Sequence, residues 1–201
     1  MISAVILAAG RAERMGEQKL FLPLGGKPVL QWVLESALAS ELDEIICVTR
    51  DFAPVRRQIT LTDERLFWLL NYAADRGQST SVIAGLWAAN QDCDGVMFMV
   101  GDQPLISKDL INALIDKFDD DSALIVAPKF NGEPRNPVLF RRQLFPELLK
   151  LTGDRGGRAL LEKHRRKTAL IEWPEEQPFL DLDVPADYDR LKRLAQEPVT
   201  G

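Results

Sequence analysis

Short apolar runs alternate along this chain with longer stretches in which apolar residues recur at helical spacing. The apolar runs predict buried strands at 4–7, 45–48, 66–70, 96–100 and 123–127. The helical spacing predicts helices over 31–38, from Ser79, from Ser107 or Lys108, and over 186–195. Strand–helix alternation of this kind predicts an α/β fold, Rossmann-like, with three α/β/α layers around a mostly parallel sheet.

The pattern changes after Pro128, where glycine and proline punctuate shorter elements. This part is expected to form loops or a small lobe on the same sheet. The chain contains no internal repeat and no low-complexity linker, so residues 1–201 are predicted to form a single domain.

Composition excludes several classes of partner. The net charge is −5 and no basic block is present, so nucleic acid and acidic membranes are poor candidates. The apolar N-terminus lacks a basic flank and is typical of a first strand, and no run approaches the roughly 20 residues needed to span a bilayer. We therefore expect a cytoplasmic protein.

Cysteine and histidine usage narrows the candidate chemistry. Two cysteines imply no disulfide framework. The single histidine, His164, argues against a histidine metal cluster or a Ser-His-Asp triad. It lies in the basic stretch 163–166, which is interpreted as a solvated helix end.

The loop after the first strand carries the first candidate chemistry. Residues 8–19 combine small side chains with three cations, Arg11, Arg14 and Lys19. Ligands of open α/β sheets bind beyond the carboxyl ends of the strands, where small residues let backbone N–H groups approach an anion. A triphosphate fits such a loop, although neither a P-loop nor a G-x-G-x-x-G motif is present. A long surface loop with solvated charges is the alternative.

Three further segments have both a structural and a chemical interpretation. Asp102 follows the strand at 96–100 and is either part of a turn or a carboxylate that meets a triphosphate through Mg²⁺. Asp183 is either a helix cap or a second metal ligand, with Asp181 in support, although the cap position falls on Val184. Residues 77–81 are either an ordinary helix start or a set of donors facing a nucleotide.

The residues 7–19, Leu-Ala-Ala-Gly followed by Arg14, Met15, Gly16 and Lys19, resemble the signature of the molybdenum cofactor cytidylyltransferase family. This family belongs to the NTP transferases, a guanylyltransferase-like superfamily. Segments at 77–81, 101–104, 132–138, 153–158 and 181–185 resemble further family motifs and occur in family order. One departure is Ala12, where many members have serine.

The resemblance implies a Mg²⁺-dependent enzyme, with Mn²⁺ as an alternative metal, that transfers CMP from CTP to the phosphate of molybdopterin or molybdenum cofactor. The N-terminal half would bind the nucleotide and the C-terminal half the acceptor. The implied catalytic residues are Arg14, Lys19 and Asp102, and the implied metal ligands are Asp102 and Asp183. The implied nucleotide-binding residues are Leu7, Ala8, Ala9, Gly10, Arg11, Lys19, Asn71, Gly77, Gln78, Ser79, Ser81 and Gly101. The implied acceptor-binding residues are Arg135, Asn136, Asp154 and Arg158.

The base preference is expected to depend on Ala9, since related guanylyltransferases have glycine there. A methyl group at this position would fill space that a purine needs. Two competing functions stay open: a sugar- or polyol-phosphate nucleotidyltransferase, and a non-catalytic carrier that delivers the cofactor to a molybdenum hydroxylase. Asp102, Lys19 and Asp183 together favour an enzyme, which would have the hydroxylase as receiver of its product.

Overall fold

A computed structural model of the chain describes residues 1–10, 19–120, 122–154 and 157–196. Its strands are β1 (Ile2–Ala8), β2 (Pro23–Leu24), β3 (Lys27–Pro28), β4 (Glu44–Thr49), β5 (Leu66–Leu70), β6 (Gly95–Val100), β7 (Ile125–Phe130), β8 (Glu133–Pro134), β9 (Val138–Arg141) and β10 (Thr168–Glu172). Its α-helices are α1 (Val29–Leu38), α2 (Phe52–Gln58), α3 (Gln78–Ala88), α4 (Lys108–Asp120), α5 (Phe145–Leu148), α6 (Arg158–Lys163) and α7 (Pro185–Gln196).

One large sheet has the strand order β10-β7-β9-β6-β1-β4-β5, and β8 adds to β7. Its neighbours along this order are parallel except at β9, which runs antiparallel to both β6 and β7. Helices cover both faces, with α1 and α4 packing on one cluster of core residues and α3 on the other. The predicted Rossmann-like α/β fold with a mostly parallel sheet is confirmed.

The strands at the centre of the sheet are buried on both faces. In β1, Ala4 and Ile6 face the cluster under α1 and α4, whereas Val5 faces α3. Such strands need no polar alternation, which is why they form continuous apolar runs in the sequence. A Cβ on Gly85 of α3 would lie 2.3 Å from Val5 Cγ1, so a glycine is required for this close helix–sheet contact.

Strand β7 continues through Pro128, where the sequence pattern predicted that strands would give way to loops. Pairing of β7 with β9 ends at Val126, and pairing with β8 begins at Lys129. Pro128 falls between these two ladders, so its missing N–H costs no hydrogen bond on that side. The C-terminal half therefore supplies strands to the same sheet. No described helix is long and apolar enough to cross a membrane.

Candidate functional site

Two adjoining cavities open at the carboxyl ends of the parallel strands. The N-terminal cavity has a volume of about 540 Å³ and is bounded by the chain after β1, the turn before α3, and Asp102. The C-terminal cavity, of about 560 Å³, is bounded by residues 133–138 and by α6. Leu7, Gln78, Val100 and Asp154 line both. Ligands in the two cavities would therefore be in direct reach of each other.

Most of the site residues predicted from the sequence lie on these walls. The predicted residues lining the N-terminal cavity are Leu7, Ala9, Gly10, Lys19, Gly77, Gln78, Ser81, Asp102 and Asp154. Those lining the C-terminal cavity are Leu7, Gln78, Arg135, Asn136, Asp154 and Arg158. Ala8, Asn71, Ser79, Gly101 and Asp183 line neither, and Arg11 and Arg14 lie outside the described residues.

A lysine and two aspartates form the charged centre of the site. Lys19 Nζ donates to Asp102 Oδ2 at 2.7 Å and to Asp183 Oδ1 at 2.8 Å. Asp102 follows β6, whereas Asp183 precedes α7 in the C-terminal half of the chain. At the start of α7, the Asp187 carboxylate accepts the N–H groups of Asp183 and Val184. The Asp183 carboxylate instead accepts from Lys19.

Burial and neighbouring charges shift the pKa values of two side chains at this centre. Burial lowers the pKa of Lys19, but the charges of Asp102 and Asp183 and their hydrogen bonds outweigh it, so the pKa is raised. Surrounding protein atoms partly desolvate Asp181, and the charge of Asp102 adds to this, so its pKa rises to about 6 although Gln103 Nε2 donates to it at 2.9 Å. Asp102 and Asp183 thus contact the ammonium, and Asp181 lies close enough for their charges to raise its pKa.

The carboxylates of this centre could bind a divalent metal ion only together with another ligand. Among the described residues, no group of three or more acidic, histidine or cysteine side chains is arranged to hold a metal ion. Asp102 and Asp183 nevertheless converge on a single cation, the Lys19 ammonium. Mg²⁺ typically binds one or two carboxylates and completes its shell with water and substrate phosphates. The pair therefore fits a metal that is bound together with a phosphate ligand.

The start of α3 is capped by a turn from the C-terminal half. Gly153 O accepts from Ser79 N at 3.0 Å, and Asp154 Oδ1 accepts from Gln78 N at 3.2 Å. Gly77 has φ +109°, and a Cβ there would lie 2.6 Å from the Gly153 carbonyl carbon. These two N–H groups are thus satisfied by the protein in this structure.

Asn71 connects the start of α3 with the turn that precedes it. Its Nδ2 donates to Thr80 Oγ1 and Ser81 Oγ, both at 2.9 Å, and its Oδ1 accepts from Ala73 N at 2.9 Å. Asn71 is buried, as is Ser79. Both residues, predicted to bind nucleotide, are positioned in this structure to hold the turn that lines the N-terminal cavity.

The C-terminal cavity is lined by charged side chains of both signs. Its cations are Arg135, Arg158 and Arg165, and its carboxylates are Glu133, Asp154, Glu162 and Asp181. Phe98 and Phe140 also adjoin it, but both are buried, and their rings meet edge to face at a centroid distance of 5.9 Å. Arginine forks bind phosphate or carboxylate groups, and carboxylates accept from N–H and O–H donors. The cavity therefore offers groups for a ligand that has both an anionic group and hydrogen-bond donors.

Three residues of the site had no role in the sequence interpretation. Gln103 lies within the motif at 101–104 and holds Asp181. Arg165 belongs to the basic stretch that was interpreted as a solvated helix end. Arg50 immediately follows β4, and its position at a strand end was a signal that could have identified it.

This chain is similar in sequence and structure to several known proteins. Residues 4–168 match the model of the MobA-like NTP transferase domain. The chain is 32% identical to the purine catabolism protein PucB of Bacillus subtilis, covering 94% of this chain and 95% of the relative. It is 31% identical to the molybdenum cofactor guanylyltransferase of Vibrio atlanticus, covering 96% of each. A crystal structure of Rv0371c from Mycobacterium tuberculosis in complex with manganese has a TM-score of 0.77 at 27% identity, covering 96% of this chain and 98% of that one.

Proposed function

This chain belongs to the MobA-like NTP transferase family, and from that premise we propose that it transfers CMP from CTP to the phosphate of molybdopterin or molybdenum cofactor, releasing pyrophosphate. One observation carries the proposal. A Lys19–Asp102–Asp183 centre lies beside the N-terminal cavity, which adjoins a second cavity whose walls include three arginines. A triphosphate in the first cavity and an anionic acceptor in the second would meet at this centre.

Asp102 and Asp183 would hold a divalent metal, Mg²⁺ or Mn²⁺, which neutralises charge on the reacting phosphates. The manganese complex of the mycobacterial relative supports a divalent ion in this family. Lys19 is shared between both carboxylates in this structure. With a triphosphate present, its ammonium would donate to the phosphate oxygens that become the leaving pyrophosphate, where negative charge increases during the reaction. Arg14 is proposed to assist there.

The acceptor phosphate needs no general base from the protein. A phosphate monoester has a second pKa of about 6 and is largely dianionic at neutral pH. His164, the single histidine, binds Glu147 at 3.1 Å and lines neither cavity. The residues of the site would therefore act by positioning the two substrates in line and stabilising charge.

The features of the C-terminal cavity support molybdopterin as the acceptor. Arg135 and Arg158 would bind its phosphate, and Asn136 and the carboxylates of the cavity would bind polar groups of its ring system. The Vibrio relative, named for molybdenum cofactor, supports the same substrate class. A molybdenum hydroxylase would receive the product, and the reaction would take place in the cytoplasm.

The donor nucleotide is proposed to be CTP because of Ala9. Ala9 lines the N-terminal cavity and is itself buried against the core. We expect its methyl group to limit the space for a larger base. GTP is the competing donor, since the Vibrio relative is named a guanylyltransferase. Two competing functions are transfer to a sugar or polyol phosphate and non-catalytic delivery of the molybdenum cofactor.

The test is a pyrophosphate-release assay that crosses CTP and GTP with molybdopterin, a sugar phosphate and a polyol phosphate. The proposal expects release with CTP and molybdopterin, and little release when the acceptor is omitted. Pyrophosphate release with GTP but not with CTP would identify GTP as the donor. Release with a sugar or polyol phosphate but not with molybdopterin would identify that compound as the acceptor. No release with any pair, from folded protein supplied with Mg²⁺ or Mn²⁺, would favour the non-catalytic carrier.

A further inference from the structure

Arg50 occupies a special position in the sheet. It is the first residue after β4, and β4 lies between β1 and β5 in the strand order. The chain that follows β1 and the chain that follows β5 form walls of the N-terminal cavity. A long side chain at the end of the intervening strand can therefore reach both walls.

The side chain of Arg50 makes both contacts. Its Nε donates to Ala9 O at 3.1 Å, on the β1 side, and its Nη2 donates to Asp75 Oδ1 at 2.9 Å, on the β5 side. Ala9 and Asp75 line the N-terminal cavity, whereas Arg50 is not among the lining residues. The guanidinium thus joins two walls of the cavity through a partly exposed pair of contacts, with 35% of the Arg50 side chain and 63% of the Asp75 side chain exposed.

Each of the joined segments needs such support. Ala9 and Gly10 follow the end of β1, so their carbonyl and amide groups lie beyond the ladders of the sheet. Asp75 belongs to the short 3-10 turn Ala74–Arg76, which precedes Gly77. Asn71 anchors this turn to α3, whereas Arg50 ties it to the β1 side of the cavity.

We propose that Arg50 is a positioning residue that sets the spacing of these two walls and thereby the selectivity for the nucleotide base. The inference rests on the proposed function, in which the N-terminal cavity takes the nucleoside triphosphate. Arg50 acts through Ala9 and Asp75 and does not touch the base itself. Discrimination between a pyrimidine and a purine depends on the width of the slot, so loosening either wall relaxes it.

Arginine is required for this role because its planar fork directs two donors from one rigid group. The Nε and Nη2 hydrogens leave the guanidinium in fixed directions, toward a carbonyl on one side and a carboxylate on the other. A lysine ammonium is a single point on a flexible stem and cannot hold both partners at that spacing. Arg50→Lys should therefore behave more like Arg50→Ala than like the wild type.

The experiment measures binding of CTP and of GTP, each with Mg²⁺, by calorimetry to the wild type, Arg50→Ala, Arg50→Lys and Arg57→Ala. Arg57 is a matched control, because its Nε donates to Ala53 O within α2. Shape discrimination in such a slot amounts to roughly 10–200-fold, and both Arg50 variants should reduce the wild-type CTP/GTP ratio by about tenfold. Arg57→Ala should keep the ratio, and melting curves check that each variant is folded.

The possible outcomes separate this inference from the proposed function. An unchanged ratio in a folded Arg50 variant would overturn the positioning role alone. Equal binding of CTP and GTP by the wild type would overturn both this role and the choice of CTP as donor. Selective binding by the wild type without any pyrophosphate release would overturn only the transfer reaction. A wild type that binds neither nucleotide would overturn both.

Discussion

The two halves of this chain contribute to the site in different ways. In the N-terminal half, β1, β4, β5 and β6 are parallel strands, and Ala9, Asp102 and the turn before α3 come shortly after their carboxyl ends. In the C-terminal half, the cavity wall comes from turns and from short elements such as β8, α5 and α6. The sheet positions the functional side chains of the N-terminal half. Those of the C-terminal half are positioned by contacts with the N-terminal half.

The charged centre shows how the halves depend on each other. Asp102 comes from the end of β6 and Asp183 from the start of α7, and Lys19 binds both. Asp102 is mostly buried, with 21% of its side chain exposed, whereas 53% of the Asp183 side chain is exposed. We therefore expect the charge of Asp102 to contribute more to catalysis than the charge of Asp183.

Asp102→Asn is predicted to have the largest effect. The amide keeps the shape of the side chain but loses the charge that would hold a metal, which should cost several kcal/mol of transition-state stabilisation, or more than about 1000-fold in kcat. Rates of pyrophosphate release measure it, with Asp109→Asn, an exposed aspartate of α4, as the control. Substantial metal-dependent turnover by a folded Asp102→Asn protein would remove Asp102 from the mechanism.

Lys19→Ala is predicted to reduce kcat/KM by roughly 100- to 1000-fold, the usual cost of removing one donor to developing negative charge. Because charge increases on the leaving pyrophosphate, kcat should fall along with affinity. Steady-state kinetics with varied CTP separate the two quantities. A rise in KM with an unchanged kcat would mean that Lys19 binds the ground state and the transition state equally.

Ala9→Gly is predicted to relax the preference for CTP over GTP. The methyl group at the cavity wall should account for discrimination of about 10–200-fold. The comparison is kcat/KM for the two nucleotides in wild type and variant. If both proteins strongly prefer CTP, other residues of the N-terminal cavity determine the base preference.

Asp154→Ala probes the contact between the halves and should have the smallest effect. Loss of a cap on α3 typically costs about 1 kcal/mol, which for a chain of this size lowers the melting temperature by roughly 2–4 °C. Asp154→Asn is the matched variant, since its amide oxygen can still accept from Gln78 N. Equal melting temperatures for wild type and Asp154→Ala would show that this cap contributes nothing to stability.

The difference between the halves also explains what the sequence could predict. Buried parallel strands leave continuous apolar runs, so their ends, and with them Lys19 and Asp102, were visible as a candidate site. The four-residue strand β9 has too little periodicity to reveal that it inserts antiparallel between β6 and β7. The contact of Asp154 with Gln78 spans 76 positions, and such tertiary contacts leave no local pattern.

In the proposed reaction, the acceptor attacks the α-phosphorus of the nucleotide at the Lys19–Asp102–Asp183 centre. The most direct measurement uses CTP labelled either at the α- or at the γ-phosphate, with molybdopterin and a divalent metal, and follows each label by chromatography. If the acceptor attacks the α-phosphorus, the α-label appears in the molybdopterin product and the γ-label in pyrophosphate. A γ-label found in the acceptor or in free phosphate, with the α-label left in CDP, would contradict it.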